Sequence, residues 1–261
     1  MMTSRSFFKK FRITLLLLIL AFVGLSSWLT KIRSTDWDRE LWVVVYPVNG
    51  DGSKASARYI KELQQAVFSP IETFMQREAL SYQVPIKEPI TIKLAGEINE
   101  LPPPRPRFNN MVEIAWWSLK TRFWAWRVNN FEGPANDIQL FVSYFDPDQY
   151  DVLDHSIGLQ KGMIGIVNAY ATRRMAAKNN VIIAHELLHT LGATDKYDLN
   201  TNQPLWPEGY ASPDQQPLHP QTKAEIMGGR VPLSKTEAEI PKNLHYTLIG
   251  PQTAREINWI Q

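Results

Sequence analysis

Two histidines four residues apart, His185 and His189, enclose Glu186 in the run HELLH. A neutral imidazole presents a ring nitrogen that binds divalent metal, and a carboxylate beside it can accept a proton. From Val181 to Leu191 the chain is apolar apart from His185, Glu186, His189 and Thr190, which predicts a helix. Positions i and i+4 of a helix lie on one face, so both imidazoles project toward one point and can sit at about 2.0–2.1 Å from a zinc ion. Glu186 follows the first histidine and is placed to act on water held by the metal rather than to bind the metal itself. A catalytic zinc site takes a third protein ligand and keeps one position open. Gly192 stands where this helix would stop, and a left-handed glycine there turns the chain back and brings Asp195 toward the ion. Asp198 is the competing carboxylate, in which case Asp195 only supports a neighbour.

HExxH alone arises by chance, but each further fixed residue cuts accidental matches by roughly fifteen- to twentyfold. Gly192 and Asp195 extend the pattern to HExxHxxGxxD. On these residues the chain resembles the metzincin zinc peptidases, and with Lys196, Tyr197 and Asp198 following it is similar to the snapalysin and immune-inhibitor members. The resemblance implies a mixed twisted sheet, an active-site helix and a smaller, loop-rich C-terminal subdomain. It also implies zinc held by His185, His189 and Asp195, with Glu186 as general base in the hydrolysis of a peptide or protein substrate. A methionine turn beneath the metal is matched in composition and distance by Ile226, Met227, Gly228 and Gly229. A strand at Met163 to Asn168 is expected to lie at an edge and to hold an extended peptide. The chain departs from the pattern at Gly229, where several metzincins carry a tyrosine; Tyr197, Tyr210, His219 and Arg230 are the candidates to replace it. A rival reading is a membrane-tethered binding or assembly factor on an inactive scaffold with structural zinc, and the retained Glu186 counts against it.

The elements that must position these residues alternate strand and helix, which indicates an α/β layer. Strands are expected at Leu41 to Val48, Ile90 to Leu94 and Ile138 to Tyr144, besides Met163 to Asn168. Ser56 to Met75 has helical spacing broken by Pro70, so it predicts one kinked helix or two short ones. Leu101 to Pro106 reads as a stiff connector and Asn110 to Val128 as a tryptophan-rich helix, some of whose rings pack on the sheet while the rest are lightly exposed. Asp146, Asp148, Asp151 and Asp154 read as a solvated acidic loop, and His155, His219 and His245 as isolated surface or structural residues. Beyond Gly192 the chain is proline-rich and aperiodic, as in a functional loop. Ser234 with Glu237 and Thr253 with Glu256 have capping-box spacing and predict two short closing helices.

Composition bounds the rest. The 261 residues are 44% hydrophobic and 21% charged, which suits an ordinary globular chain. Cysteine is absent, which excludes disulfides, thiolate metal ligands and thiol catalysis. Six basic residues and no acids fall in the first 33 positions, and the remainder carries 22 basic against 26 acidic side chains. A slightly acidic body lacks the surface that nucleic acid requires. Ile13 to Leu29 contains no charge and is flanked by Arg12 and Lys31, so it reads as a membrane anchor or a cleaved signal. Either places residue 34 onward outside the cytoplasm. The expected organisation is residues 1–33 as anchor or signal and 34–261 as a metallopeptidase domain, divided at residue 192.

Overall fold

The computed structural model describes residues 8–18, 36–106, 110–160 and 162–261. The expected anchor at residues 13–29 lies mostly outside the described residues; residues 8–18 are helical and exposed. Among the described residues no helix is long and apolar enough to cross a membrane.

The body is a mixed α/β fold built on a five-stranded sheet. Its strands are β1 (Leu41–Asn49), β2 (Ile90–Leu94), β3 (Ile138–Phe145), β4 (Ile157–Leu159) and β5 (Ile164–Tyr170), in the order β2-β1-β3-β5-β4. The first four in that order run parallel, and β4 runs antiparallel to β5 at the edge. β1 and β3 are apolar on both faces because both are covered, as parallel strands require.

Five helices between residues 54 and 256 clothe this sheet: α1 (Lys54–Glu62), α2 (Ser69–Ser81), α3 (Met111–Val128), α4 (Ala176–Leu191) and α5 (Pro251–Glu256). On one face, Val43 and Val45 of β1 pack with Phe74 and Met75 of α2, and with Leu187 and Leu191 of α4. On the other, Val44 and Tyr46 pack with Trp124 and Ala125 of α3. Alternation along β1 thus sorts two helical layers onto opposite faces. Pro70 does not kink a helix. It occupies the first turn of α2, where a missing N–H costs nothing, and the segment divides into α1 and α2 around a 3-10 turn.

Three expectations are corrected. Ile164–Tyr170 is not an edge strand, for β3 and β4 flank it on both sides; its unbroken apolar run is that of an interior strand, and the edge is the short β4. Ser234 to Glu237 is not a helix. The Ser234 hydroxyl accepts from the Thr236 and Glu237 N–H groups in a turn joining β6 (Val231–Pro232) to β7 (Ala238–Glu239). In α5 the N-cap is Gly250, and Thr253 instead donates its hydroxyl to Glu225 within the core.

Candidate metal centre

α4 is fixed at its start by Asn179, whose side-chain amide accepts from Tyr170 N–H and donates to Tyr170 C=O, tying the helix to the end of β5. Leu187, Leu188 and Leu191 bury the sheet-facing side. His185 and His189 project toward the loop that follows the helix, with their side chains 12% and 17% exposed. Gly192 ends the helix in the left-handed conformation, φ 109°, as its position in the sequence predicts.

The turn delivers Asp195 to the histidines. Asp195 Oδ1 lies 3.1 Å from His185 Nε2 and 3.1 Å from His189 Nε2, and the two nitrogens are 3.1 Å apart. Three atoms so spaced lie on a circle of radius 3.1/√3, about 1.8 Å, so a point about 2 Å from all three exists just off their plane. Both rings are oriented from behind: Nδ1 of His185 donates to Ile226 C=O at 2.9 Å, and Nδ1 of His189 donates to Ala193 C=O at 2.8 Å. With each Nδ1 so directed, both Nε2 atoms and Asp195 Oδ1 can present lone pairs to one cation at their common centre. The residues present therefore fit a tetrahedral zinc ion. Among the described residues this is the one cluster of three metal-binding side chains. Asp198 is turned away: it accepts from the Asn200 and Thr201 N–H groups and the Thr201 hydroxyl in its own turn.

Electrostatics reflect the convergence. Burial opposes charge on His185, but its hydrogen bond to Asp195 and the charges of Glu186 and Asp195 outweigh it and push the pKa up to about 9. Burial would raise Asp195, yet the two imidazoles hold it well below the ordinary carboxylate range. Glu186 is 5% exposed; burial pushes its carboxyl up, partly offset by His185 and His189. Glu186 Oε2 is buried without a hydrogen-bond partner and lines a cleft of about 520 Å³. A buried carboxyl oxygen left unpaired is costly, so its position beside the cleft calls for a partner.

Neighbouring residues hold this arrangement. Thr194 donates its N–H and hydroxyl to Glu256, and Lys196 reaches the same carboxylate at 2.8 Å, so Asp195 is bracketed by two tethered residues. Met227 is fully buried in a 3-10 turn, Ile226–Gly228, whose first carbonyl orients His185. Glu225 caps that turn through Gly228 N–H and accepts from Gly250 N–H and Thr253. On the sheet side β4 runs against α4 so closely that a Cβ on Gly158 would lie 2.3 Å from His189 Cβ.

Of the four candidates for the missing tyrosine, Tyr197 and Arg230 line the cleft. Tyr210 packs edgewise on His219, and neither is among the cleft-lining residues. The Tyr197 ring lies beside Gly229, 3.8 Å from where a Cβ there would be, an ordinary van der Waals contact. Burial and the charges of Asp195 and Glu186 push its pKa up to about 12, which keeps the hydroxyl protonated at neutral pH. His155 also lines the cleft and its charge acts on Glu186. The sequence predicts only an isolated surface or structural role for it, because it shares no helix or motif with the site and only the fold brings it there.

No family model and no curated protein matches this sequence. One solved structure, described as a chaperone-substrate complex, aligns over 84% of this chain with 12% identity and a TM-score of 0.38. This chain spans about one third of the length of that one, 33%.

Proposed function

We propose that this protein is a zinc-dependent endopeptidase of the metzincin type, anchored by residues 13–29 with its catalytic body outside the cytoplasm. The observation that carries the reading is the convergence of His185, His189 and Asp195 at mutual distances of 3.1 Å beside the unpartnered Glu186 Oε2. His185, His189 and Asp195 would hold the ion. Zinc there supplies Lewis acidity, lowering the pKa of water and polarising a peptide carbonyl. Glu186 takes a proton from the attacking water as its oxygen adds to the carbonyl carbon, and returns that proton to the leaving amine when the C–N bond breaks. Tyr197 donates its hydroxyl to the developing oxyanion. The outer edge of β4, which no strand pairs and which follows the cleft-lining Ser156, offers backbone groups to an extended peptide, a role expected of Met163 to Asn168.

The test uses the full chain purified in detergent. Zinc content and cleavage of an unstructured protein are measured for the parent and for Glu186→Ala. The parent is expected to bind one zinc and to cut. Glu186→Ala is expected to keep the zinc and lose roughly 10²- to 10⁴-fold in rate. A parent that binds zinc and cuts no faster than the variant would instead support the tethered binding factor.

A further inference from the structure

The cleft beside Glu186 carries a single permanent cation. Among the described residues that line it, Arg230 is the lone Lys or Arg, in company with the acids Asp151, Asp154 and Glu186. It is half-buried, yet it makes no hydrogen bond or ion pair with any described residue, those three acids included. Arg77, equally half-buried, instead donates to Glu78 and to the carbonyls of Leu244 and Thr247. A guanidinium taken partly out of water with no acceptor loses hydration without compensation, so the arrangement calls for an anion from outside the chain.

The backbone fixes where that guanidinium stands. Gly229, before it, takes φ 71°, and the Gly229 N–H donates to the carbonyls of Glu225 and Ile226; Val231, after it, pairs in β6 with Glu239 of β7. The Ile226 carbonyl also orients His185, so the turn that carries Arg230 is the turn that seats a candidate metal ligand. Its charge acts on the Tyr197 hydroxyl, and Ile226 and Ile240 line the same cleft as apolar surface. An apolar cleft with few fixed polar groups is the usual form of a site that reads its ligand through those groups.

We infer that Arg230 recognises a carboxylate of the bound peptide, so that the cleft selects substrates with either an acidic side chain or a free C-terminus beside the metal centre. This rests on the proposal above that the cleft takes peptides. The planar fork of an arginine matches a carboxylate through two parallel N–H donors, which a single point charge cannot do. Asp151 and Asp154, on the segment before β4, repel a carboxylate from their part of the cleft, so an acid is accepted at one position of an extended chain and not along its length.

Binding is measured apart from cleavage, in the full chain purified in detergent. Short alanine–leucine peptides with a neutral N-terminal fluorophore carry Glu, Gln or Lys at one position in turn, each as C-terminal acid and as amide. Anisotropy in the Glu186→Ala background reads affinity without turnover. The expected result is that Glu binds roughly tenfold more tightly than Gln at one position, or the acid more tightly than the amide by the same factor. The first outcome assigns the carboxylate to a side chain, the second to the C-terminus. Adding Arg230→Gln removes the preference, and Arg230→Glu reverses it, toward Lys or toward the amide, a gain that misfolding cannot produce. Equal affinities for all forms, a preference spread over every position, or one that survives Arg230→Gln overturns the inference. Cleavage of the same peptides by the parent decides the peptidase reading separately: a carboxylate preference without cutting leaves Arg230 in this role and removes the enzyme, whereas cutting without the preference does the opposite.

Discussion

Glu186 and Tyr197 face the same cleft in opposite protonation roles, one an acceptor without a partner and the other a phenol whose proton is held. If Tyr197 donates to the oxyanion, Tyr197→Phe removes the hydroxyl while the ring still fills the space beside Gly229. The expected result is a fall in kcat of about 10²-fold with zinc content unchanged, since a donor used only in the transition state moves kcat rather than binding. Steady-state kinetics beside metal analysis measure both, and a loss of zinc in the variant would assign Tyr197 to metal support instead. HELLH and Asp195 were legible in the sequence because i, i+4 spacing and a helix-ending glycine are local geometry. Tyr197 stood there as one of four candidates. His155 was not legible, because its place beside Glu186 depends on a loop folding over the helix.

At the scale of elements, the site is a helix squeezed between an edge strand and a tethered loop. Gly158 lets β4 lie against α4; a Cβ there would meet Glu186 C=O at 2.6 Å as well as His189. Gly158→Ala must therefore push β4 away from the helix. The expected outcome is a raised KM for extended peptides with the metal retained, read by kinetics on peptides of increasing length. The loop is held by the Lys196–Glu256 pair, whose side chains are 6% and 17% exposed. Burial would raise the Glu256 carboxyl, but Lys196 and Thr194 bring it below its ordinary value of 4.5. A carboxylate lowered on folding gives stability that is complete above 4.5 and is lost as pH falls through the depressed value. Glu256→Gln leaves the Lys196 ammonium uncompensated and is expected to cost on the order of 3 kcal/mol at neutral pH. That deficit should shrink as pH falls from 4.5 through the depressed value, where the folded parent is protonated at the same group; urea unfolding at neutral and at acid pH tests it.

Taken as a whole molecule, the three candidate metal ligands join two parts of the chain. His185 and His189 belong to the layered sheet and helices, and Asp195 to the proline-rich segment that follows, itself tied to Met227 through the Lys196 N–H. Binding an ion across them adds its free energy to folding, about 4 kcal/mol when free zinc exceeds its dissociation constant a thousandfold. Chelation should lower Tm in the full chain, and the same chelator should leave the Tm of His189→Ala unmoved. Calorimetry with and without chelator reads this directly, and an unchanged parent Tm would mean that no structural ion is held.

The amino-acid sequence alone determined the local items: the helix bearing HELLH, its glycine stop, the strands from Leu41, Ile90 and Ile138, and an α/β class, since hydrophobic period and capping act within a few residues. It did not determine which strand is the edge. An apolar run such as Ile164 to Tyr170 specifies burial, and only the pairing of β4 in antiparallel sense decides which neighbour covers it. Nor did it fix whether the capping-like spacing at Ser234 makes a helix or a turn, for β6–β7 pairing overrides a weak local preference there. The meeting of Asp195 with two imidazoles and the placing of Tyr197, Arg230 and His155 along one cleft follow from contacts between distant segments, which the whole fold decides at once.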